Sequence, residues 1–443
     1  MFAALSGVDA WLVGGAVRDR LLGRDTVDVD VAVGVEDVRP LAQALRREIG
    51  GAAFPLGDRY GGWRVVAADR TVDLLPLVGG TLETDLAARD FTLNAMAEPI
   101  GGGPLVDPHG GEADLRAGRL RAVGPRSFAA DPLRVLRLAR FAAELGFAME
   151  DATTAAARAS AGGLTGVAAE RIFAEIKRIV CAPEAGDAVR LMEEVGAAAV
   201  VLPELVALQG VEQSVYHDAD VHDHTLAVLD ATARLEAEEP DARVRAALGA
   251  PLANELSHWQ AMRFAALLHD IAKPETSGTR RDGKGTSFVG HDRAGAEVAR
   301  DVLRRLRAAE RLTDYVAHLT LHHLRLGFLV HAQPLERREA WRYLQATRPY
   351  AVDVTVFTCA DRLATRGRNA GPATSAHLAL AREMLDHVFA EPPAPLLRGD
   401  EVARELGVRG PRIGALLAEL AEAQYAGEVR TRDEALALLS SSG

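Results

Sequence analysis

The periodicity of the chain changes once, near residue 131, and that change constrains its architecture more than any other feature. Over the first 110 residues, short β-like runs (AWLV, VDVDVAV, WRVVAA and TVDLLPL) alternate with Gly and Asp turns. From about residue 131 apolar residues recur at spacings of three and four among many alanines, and this helical pattern persists almost to the C-terminus. Such a chain is expected to be α+β, with its sheet confined to the N-terminal part. At 443 residues it exceeds what one core can hold, so several domains are expected. Segment 233–260 is acidic and then Pro- and Ala-rich and reads as an excursion; 276–290 reads as a polar Gly-rich loop, and EPPAP at 391–395 as a linker before a small helical tail.

No apolar run approaches the roughly 20 residues needed to span a bilayer, and no basic leader precedes an apolar core at the N-terminus. Cys181 and Cys359 are too far apart in sequence to suggest a disulfide framework or a thiolate metal site. A cytoplasmic protein with no membrane partner is expected. The net charge of −11 argues against non-specific coating of nucleic acid but leaves room for a local basic groove. Seven arginines between Arg116 and Arg140 are the strongest candidate for one. Two later clusters, Arg304, Arg305, Arg307 and Arg311, and Arg337, Arg338 and Arg342, read equally well as solvated helix faces.

Within the N-terminal part, Trp11–Val13 is a short apolar run followed by Gly14-Gly15 and a helical pattern closed by Gly23. A strand, a Gly-Gly turn and a helix start suit phosphate: glycine lets the backbone approach, and unpaired N–H groups face the anion. Asp28 and Asp30 lie two apart in VDVDVAV, so in a strand both carboxylates project from one face and together favour a divalent cation. Mg²⁺ on paired aspartates suits activation of a 3′-hydroxyl and clamping of the triphosphate it attacks.

GGAVRD (14–19) followed by DVD (28–30) resembles the first motif of the class II tRNA nucleotidyltransferase and bacterial poly(A) polymerase family. Four further segments resemble that family's motifs in order: ARDFTLNAMA (88–97), DPHGG with DL (107–115), ADPLRVLRLARF (130–141) and ERIFAE (170–175). Asp73 stands where the superfamily has another acidic strand residue. The resemblance implies a polymerase-β-like nucleotidyltransferase head, a mixed sheet with helices, followed by an all-α neck, body and tail. It implies that Asp28 and Asp30 are catalytic and bind Mg²⁺, that Gly14, Gly15 and Arg18 hold the triphosphate, and that Asp90 and Asn94 position the sugar and local backbone. It implies that Asp131 and Arg134 read the base, with Arg137 beside them in the nucleotide site. That last role is chemically sound, because a carboxylate can accept from an exocyclic amine while a guanidinium donates to the ring nitrogen, a pattern shared by cytosine and adenine but not by guanine or uracil. CTP and ATP are thus the expected donors and the 3′ end of tRNA the acceptor. Ala88 and Ala130 stand where the family usually has Arg and Glu. Only PLVGGT (76–81) separates TVDLL from LETDLAARD, where full CCA-adding members carry a longer flexible loop; this favours a member that adds CC and stops.

The helical part holds a second constellation. His224, His269-Asp270 and Asp361 resemble the H…HD…D core of the HD superfamily, with His291 and one of His322 and His323 at the extra positions of two-metal members. Imidazoles and carboxylates suit a divalent metal, whose bound water becomes a usable nucleophile near neutral pH. A phosphohydrolase activity is implied, with the metal's identity open. Lys273 reads equally as a site residue and a solvated one, while His217, His222, His258, His318, His331, His377 and His387 read as structural or exposed. The expected division is head 1–140, neck 141–210, HD domain 211–370 and tail 371–443. Poly(A) polymerase activity, or an HD phosphohydrolase as the main activity, are the rival readings. The tail segment around Gly410-Pro411 reads equally as an RNA contact and a helix connector.

Overall fold

The computed structural model describes residues 2–57, 61–213, 219–279, 285–331, 334–366 and 370–441; His217 lies outside them. The chain forms two compact units, Met1–Ala182 with Asp187–Val201, and Pro183–Gly186 with Leu202–Gly443.

The first unit is built on a six-stranded sheet of β1 (Ala10–Val13), β2 (Asp28–Val33), β3 (Ala52–Pro55), β4 (Trp63–Val66), β5 (Thr71–Pro76) and β6 (Ala97–Pro99), in the order β3-β4-β5-β2-β1-β6. The four strands legible in sequence form; β3 and β6 are additional, and both sit at sheet edges where a short run lacks the two-sided apolar signal. Within this sheet, among the described residues, only β2 and β5 pair in parallel, and their register sets Asp28 opposite Thr71 and Asp30 opposite Asp73. Alternation along β2 then decides what faces what. Val31 and Val33 pack with Val38, Leu45, Val65 and Val72 on one face, under the Arg39–Ile49 helix. Ala32 packs with Val13, Leu82 and Leu86 on the other. Asp28 and Asp30 share the parity of Ala32, so the carboxylates emerge on the face of the Leu82–Ala87 helix, where the strand leaves its apolar cover.

DPHGG turns the chain from the sheet toward the helices of this unit. Asp107 accepts from the N–H groups of Gly111 and Glu112 (2.7 and 2.9 Å), capping the Gly111–Arg116 helix in the manner of an N-terminal aspartate. The fully buried Asp114 accepts from Thr92 Oγ1 (2.7 Å) and is flanked by Arg119 and Arg121. The Arg134–Leu145 helix follows, stopped by Gly146 at φ 69°, and packs on the Ala169–Val180 helix.

The second unit is mainly helical. The Val221–Glu238, His258–Leu268, His291–Arg305, Glu310–His322 and Ala351–Ala364 helices pack around the HD residues. It also carries two short hairpins, Pro251–Ala253 with Leu256–Ser257 and Ser277–Thr279 with Thr286–Phe288, so the body is not purely α. Residues 233–238 close a helix rather than open an excursion. The tail helices Gly399–Leu406, Pro411–Ala426 and Arg432–Ser441 enclose a small core of their own, including Val402, Leu416, Leu420 and Leu439. Arg304 pairs with Glu310, Arg305 with Glu204, and Arg338 and Arg342 with Glu422, so four of the later cluster arginines are spent on ion pairs within this unit. Among the described residues no helix is long and apolar enough to cross a membrane.

A Cβ at Gly111 would lie 2.2 Å from the backbone oxygen of Thr92. Gly111→Ala is therefore expected to destabilise the first unit by about 1–3 kcal/mol, read as a lower urea midpoint.

Candidate active site and metal centre

The residues singled out in the first unit converge on one cleft of about 560 Å³, lined by Gly14, Gly15, Arg18, Asp30, Asp90, Asn94, Asp131, Arg134 and Arg137. Asp28 stands beside it, exposed at the start of β2. The Gly15–Leu21 helix opens behind Gly14, whose φ of 68° is one that L side chains rarely adopt. Neither Asp28 nor Asp30 has its carboxylate hydrogen-bonded by a described residue, and burial pushes the Asp30 carboxyl above its ordinary value of 3.8, with Arg89 opposing and Asp73 and Asp28 reinforcing. An unpaired, half-buried carboxylate beside a second one fits a divalent cation. Asp73 is opposite Asp30 as its register requires, but it is held by a two-pronged contact from Arg64, both bonds 2.7 Å.

Behind the cleft a charged network joins sheet to helices. Arg18 donates to Asn94 Oδ1 (2.8 Å) and to both oxygens of Asp19; Asn94 Nδ2 donates to Asp90 Oδ1 (3.0 Å). Asp90 accepts two bonds from Arg137 at its other oxygen, at 2.9 and 2.6 Å. Arg137 and Arg140 then meet the buried Glu175 of the Ala169–Val180 helix. Burial alone would raise the Asp90 carboxyl, yet Arg137, Asn94 and the Phe91 N–H outweigh it and hold the group below 3.8. Asp90 and Asn94 thus act on local structure, with their polar atoms committed to protein partners.

The Asp131/Arg134 pair has a particular geometry. Arg134 donates from Nη1 to the Arg89 oxygen and Ser127 Oγ (3.0 and 2.9 Å) and from Nη2 to the Ala88 oxygen (2.5 Å). Its Nε bonds no described residue. Asp131 is held at Oδ2 by Arg171 (2.7 Å), from the neck motif ERIFAE. Because position 88 contributes a carbonyl, its alanine costs nothing in this contact. Sequence reading gave no site role to Arg89, Arg171 or Phe141, which all line the cleft. Phe141 is the ring against which Arg18, Arg137 and Arg140 lie, 4.0–5.3 Å from its centroid. Arg89 and Arg171 belong to the ARDFTLNAMA and ERIFAE segments, but the ion pairs they make, with Asp85 and Asp131, are invisible in one sequence.

In the second unit the ligand atoms of His224, His269 and Asp361 lie within 4.8 Å of one another, as do those of Asp270, His291 and His323. His269, His291 and His323 each give Nδ1 to a backbone oxygen three residues back, of Ala266, Phe288 and Thr320. A carbonyl can only accept, so Nδ1 carries the proton and each Nε2 lone pair faces the cluster. His269 Nε2 and Asp270 Oδ1 are buried without a hydrogen-bond partner, a donor set that fits a divalent cation. Although burial would raise it, the hydrogen bond with His224 Nε2 (3.0 Å) holds the Asp361 carboxyl well below its ordinary range, and burial pushes His323 down to about 4. His322 does not join them. Successive helix residues point about 100° apart, and its ring turns to His318 at 4.5 Å while Arg325 approaches its Nδ1. Lys273 is buried and bonds Asp270 Oδ2 (2.6 Å), so it is not a solvated residue. His258 (to Asp353), His318, His377 and His387 are bonded within the fold, as their structural reading expects. A third group, Asp220, His222 and Asp223, sits at a helix start where Asp220 is spent on the N–H groups of Asp223 and Gly210.

Residues 10–77 and 64–121 match the family model described as the Poly A polymerase head domain, 146–208 that of the probable RNA and SrmB-binding site of polymerase A, and 221–366 that of the HD domain. An A-adding tRNA nucleotidyltransferase of Deinococcus radiodurans is 37% identical over 97% of this chain and 94% of its own length. The chain belongs to the tRNA nucleotidyltransferase family. A CC-adding member from Thermus thermophilus is 36% identical over 97% of the chain and 93% of its own length. In three dimensions, a CCA-adding enzyme of Thermotoga maritima, solved in complex with tRNA, superposes with a TM-score of 0.66 over 100% of this chain and 93% of its own, at 19% identity, which speaks for the fold.

Removing Arg137 leaves Asp90 buried and short of donors. The depressed carboxyl contributes stability that is complete above its unfolded pKa, near 3.8, and is lost as pH falls through the lower folded value. Arg137→Ala is expected to cost roughly 1–3 kcal/mol at pH 7, discounted because Arg137 is a third exposed. The gap between variant and parent in urea denaturation should close below pH 3.8.

Proposed function

We propose that this family member transfers CMP from CTP to the 3′ end of tRNA without a nucleic-acid template and stops after two additions. The observation that carries the reading is the convergence of the Gly14-Gly15 turn, Asp30 and the Asp131/Arg134 pair on one cleft. Gly14, Gly15 and Arg18 receive the triphosphate. Asp131 accepts from the cytosine amine once Arg171 yields one oxygen, and Arg134 Nε donates to the ring nitrogen. Because carbonyls fix the plane of the Arg134 guanidinium, bases that present a carbonyl and an N–H meet mismatched partners. Asp28 and Asp30 would hold Mg²⁺, which supplies hydroxyl activation and charge neutralisation when bound. The bond formed joins the RNA 3′-oxygen to the α-phosphorus, and pyrophosphate leaves.

The same pair suits ATP, and relatives named as an A-adding tRNA nucleotidyltransferase, a CC-adding one and a multifunctional CCA protein bear comparable similarity to this chain. The CC reading rests on the short 76–81 connection, in which Val78 N–H is bonded to Asp85 Oδ1 at 3.2 Å. A connection so short and so fastened has little reach with which to re-aim the pair for a larger base. A primer ending before CCA should gain two cytidines from a mixture of CTP and ATP, and a primer ending in CC should gain nothing from ATP. Efficient addition of one A to the second primer would reject the CC-only reading, and a long A ladder would favour poly(A) polymerase. Asp28→Ala and Asp30→Ala are each expected to abolish addition.

The HD unit is proposed to be a metal-dependent phosphohydrolase, with His224, His269 and Asp361 holding one ion, His291 and His323 a second, and Asp270 between them. The working compartment is proposed to be the cytoplasm. The functional division proposed is head 1–140, neck 141–210, HD domain 211–370 and tail 371–443. Loaded with Mn²⁺ and exchanged into metal-free buffer, the HD site should retain about two ions per chain. His323→Ala should lower this to about one and His322→Ala should leave it unchanged, by elemental analysis. Equal losses in both variants would reject the assignment.

A further inference from the structure

Asp85 is a charged side chain that no motif singles out, yet only 5% of its surface is exposed. Its two oxygens serve different masters. Oδ1 accepts from the Val78 N–H in the 76–81 connection (3.2 Å). Oδ2 accepts from Arg89 Nε and Nη2 (3.1 and 2.9 Å). That contact fixes where the rest of the Arg89 guanidinium points. A Cβ placed on Gly14 would fall 2.8 Å from Arg89 Nη1 and 3.4 Å from Asp30 Oδ2. Arg89 Nη1 therefore lies over the Gly-Gly turn and beside Asp30, and it makes no hydrogen bond with a described residue. The space is there because position 14 has no side chain.

We propose that Asp85 is a positioning residue that holds Arg89 over Gly14 so that its free Nη1 engages the triphosphate of the incoming nucleotide. The inference rests on the nucleotidyltransferase reading of the head. A long cationic side chain at a cleft wall samples many rotamers, and ordering it costs free energy at the moment of binding. A buried carboxylate that takes two of its N–H groups prepays that cost and leaves the other edge of the fork toward the phosphates. Because the Val78 N–H is bonded to the same carboxylate, the fastened 76–81 connection and the phosphate-facing cation share one anchor. The Arg89 carbonyl also holds Arg134 (3.0 Å), so this step of chain borders both the phosphate end and the base end of the cleft.

The test compares Asp85→Asn, Arg89→Ala, Arg89→Lys and the Asp85→Asn/Arg89→Ala pair in the full chain. An amide offers one acceptor oxygen for two claims, so Asp85→Asn can keep the Val78 bond while releasing the fork. CTP and CMP affinities are measured by calorimetry with Mg²⁺ and no primer, and steady-state addition is measured on a primer ending before CCA. The expected result is a rise of about tenfold in both Kd and KM for CTP in Asp85→Asn, with kcat within about threefold and CMP affinity unchanged. Arg89→Ala should match or exceed that loss, Arg89→Lys should fall between, and the double variant should be no worse than Arg89→Ala. Equal weakening of CMP and CTP, a loss confined to kcat, or multiplying losses in the double variant would each overturn the proposal. Should Asp85→Asn prove poorly folded, Arg89→Lys, which leaves the carboxylate in place, carries the same comparison. A chain that binds CTP in this pattern but extends no primer would sustain the positioning role and overturn the nucleotidyltransferase reading instead.

Discussion

A carboxylate buried at position 90 must find enough donors to remain charged, and the way it finds them organises the head. Asp90 draws on the Phe91 N–H, the Asn94 amide and a two-pronged Arg137, so strand-side turn and helix are bound to one atom group. Arg137 in turn shares Glu175 with Arg140, and Asn94 passes the connection to Arg18 at the mouth of the Gly-Gly turn. Desolvated charges are tolerable only in such complete sets, since an unmatched member inside costs several kcal/mol. The arginine density between residues 134 and 140 thus reflects internal accounting of charge as much as attraction for RNA, and it sits comfortably in a chain of net charge −11.

The second unit follows the opposite rule. Where the network around Asp90 completes its pairs, the HD cluster leaves atoms unmatched: His269 Nε2 and Asp270 Oδ1 are buried with no hydrogen bond. Backbone carbonyls pin Nδ1 of three histidines so that lone pairs converge. Hydrogen-bond completeness on one side and directed incompleteness on the other are how a fold distinguishes scaffolding charge from a place kept for a cation.

Much of this was legible in the sequence because it depends on period and parity. The pairing of Asp28 with Asp30 on one face follows from strand alternation, and their emergence beside the Leu82–Ala87 helix follows from Ala32 lying in that face's core. The HD residues were legible as an ordered set, but adjacency hid the choice between His322 and His323, because the sequence does not say which of the two rings turns toward the centre. Lys273 was ambiguous since burial is a property of the packed fold. The β3 and β6 strands escaped notice at the sheet edges, where short runs carry little pattern. Arg89 and Arg171 lie inside recognisable motifs; what sets them apart is which carboxylate stands opposite, Asp85 or Asp131, and the second of these pairings, between distant segments, leaves no local trace.

Arg134 takes its orientation from main-chain oxygens at positions 88 and 89 and from Ser127. A guanidinium mounted on the backbone is insulated from mutation in a way that one mounted on side chains is not. Any residue at position 88 that keeps the local path of the chain presents the same carbonyl, so that letter can drift while the orientation of Arg134 does not. The orientation of this guanidinium is in that sense stored in the course of the polypeptide, and a change that bends the 88–89 step would re-aim Arg134 without altering its own side chain.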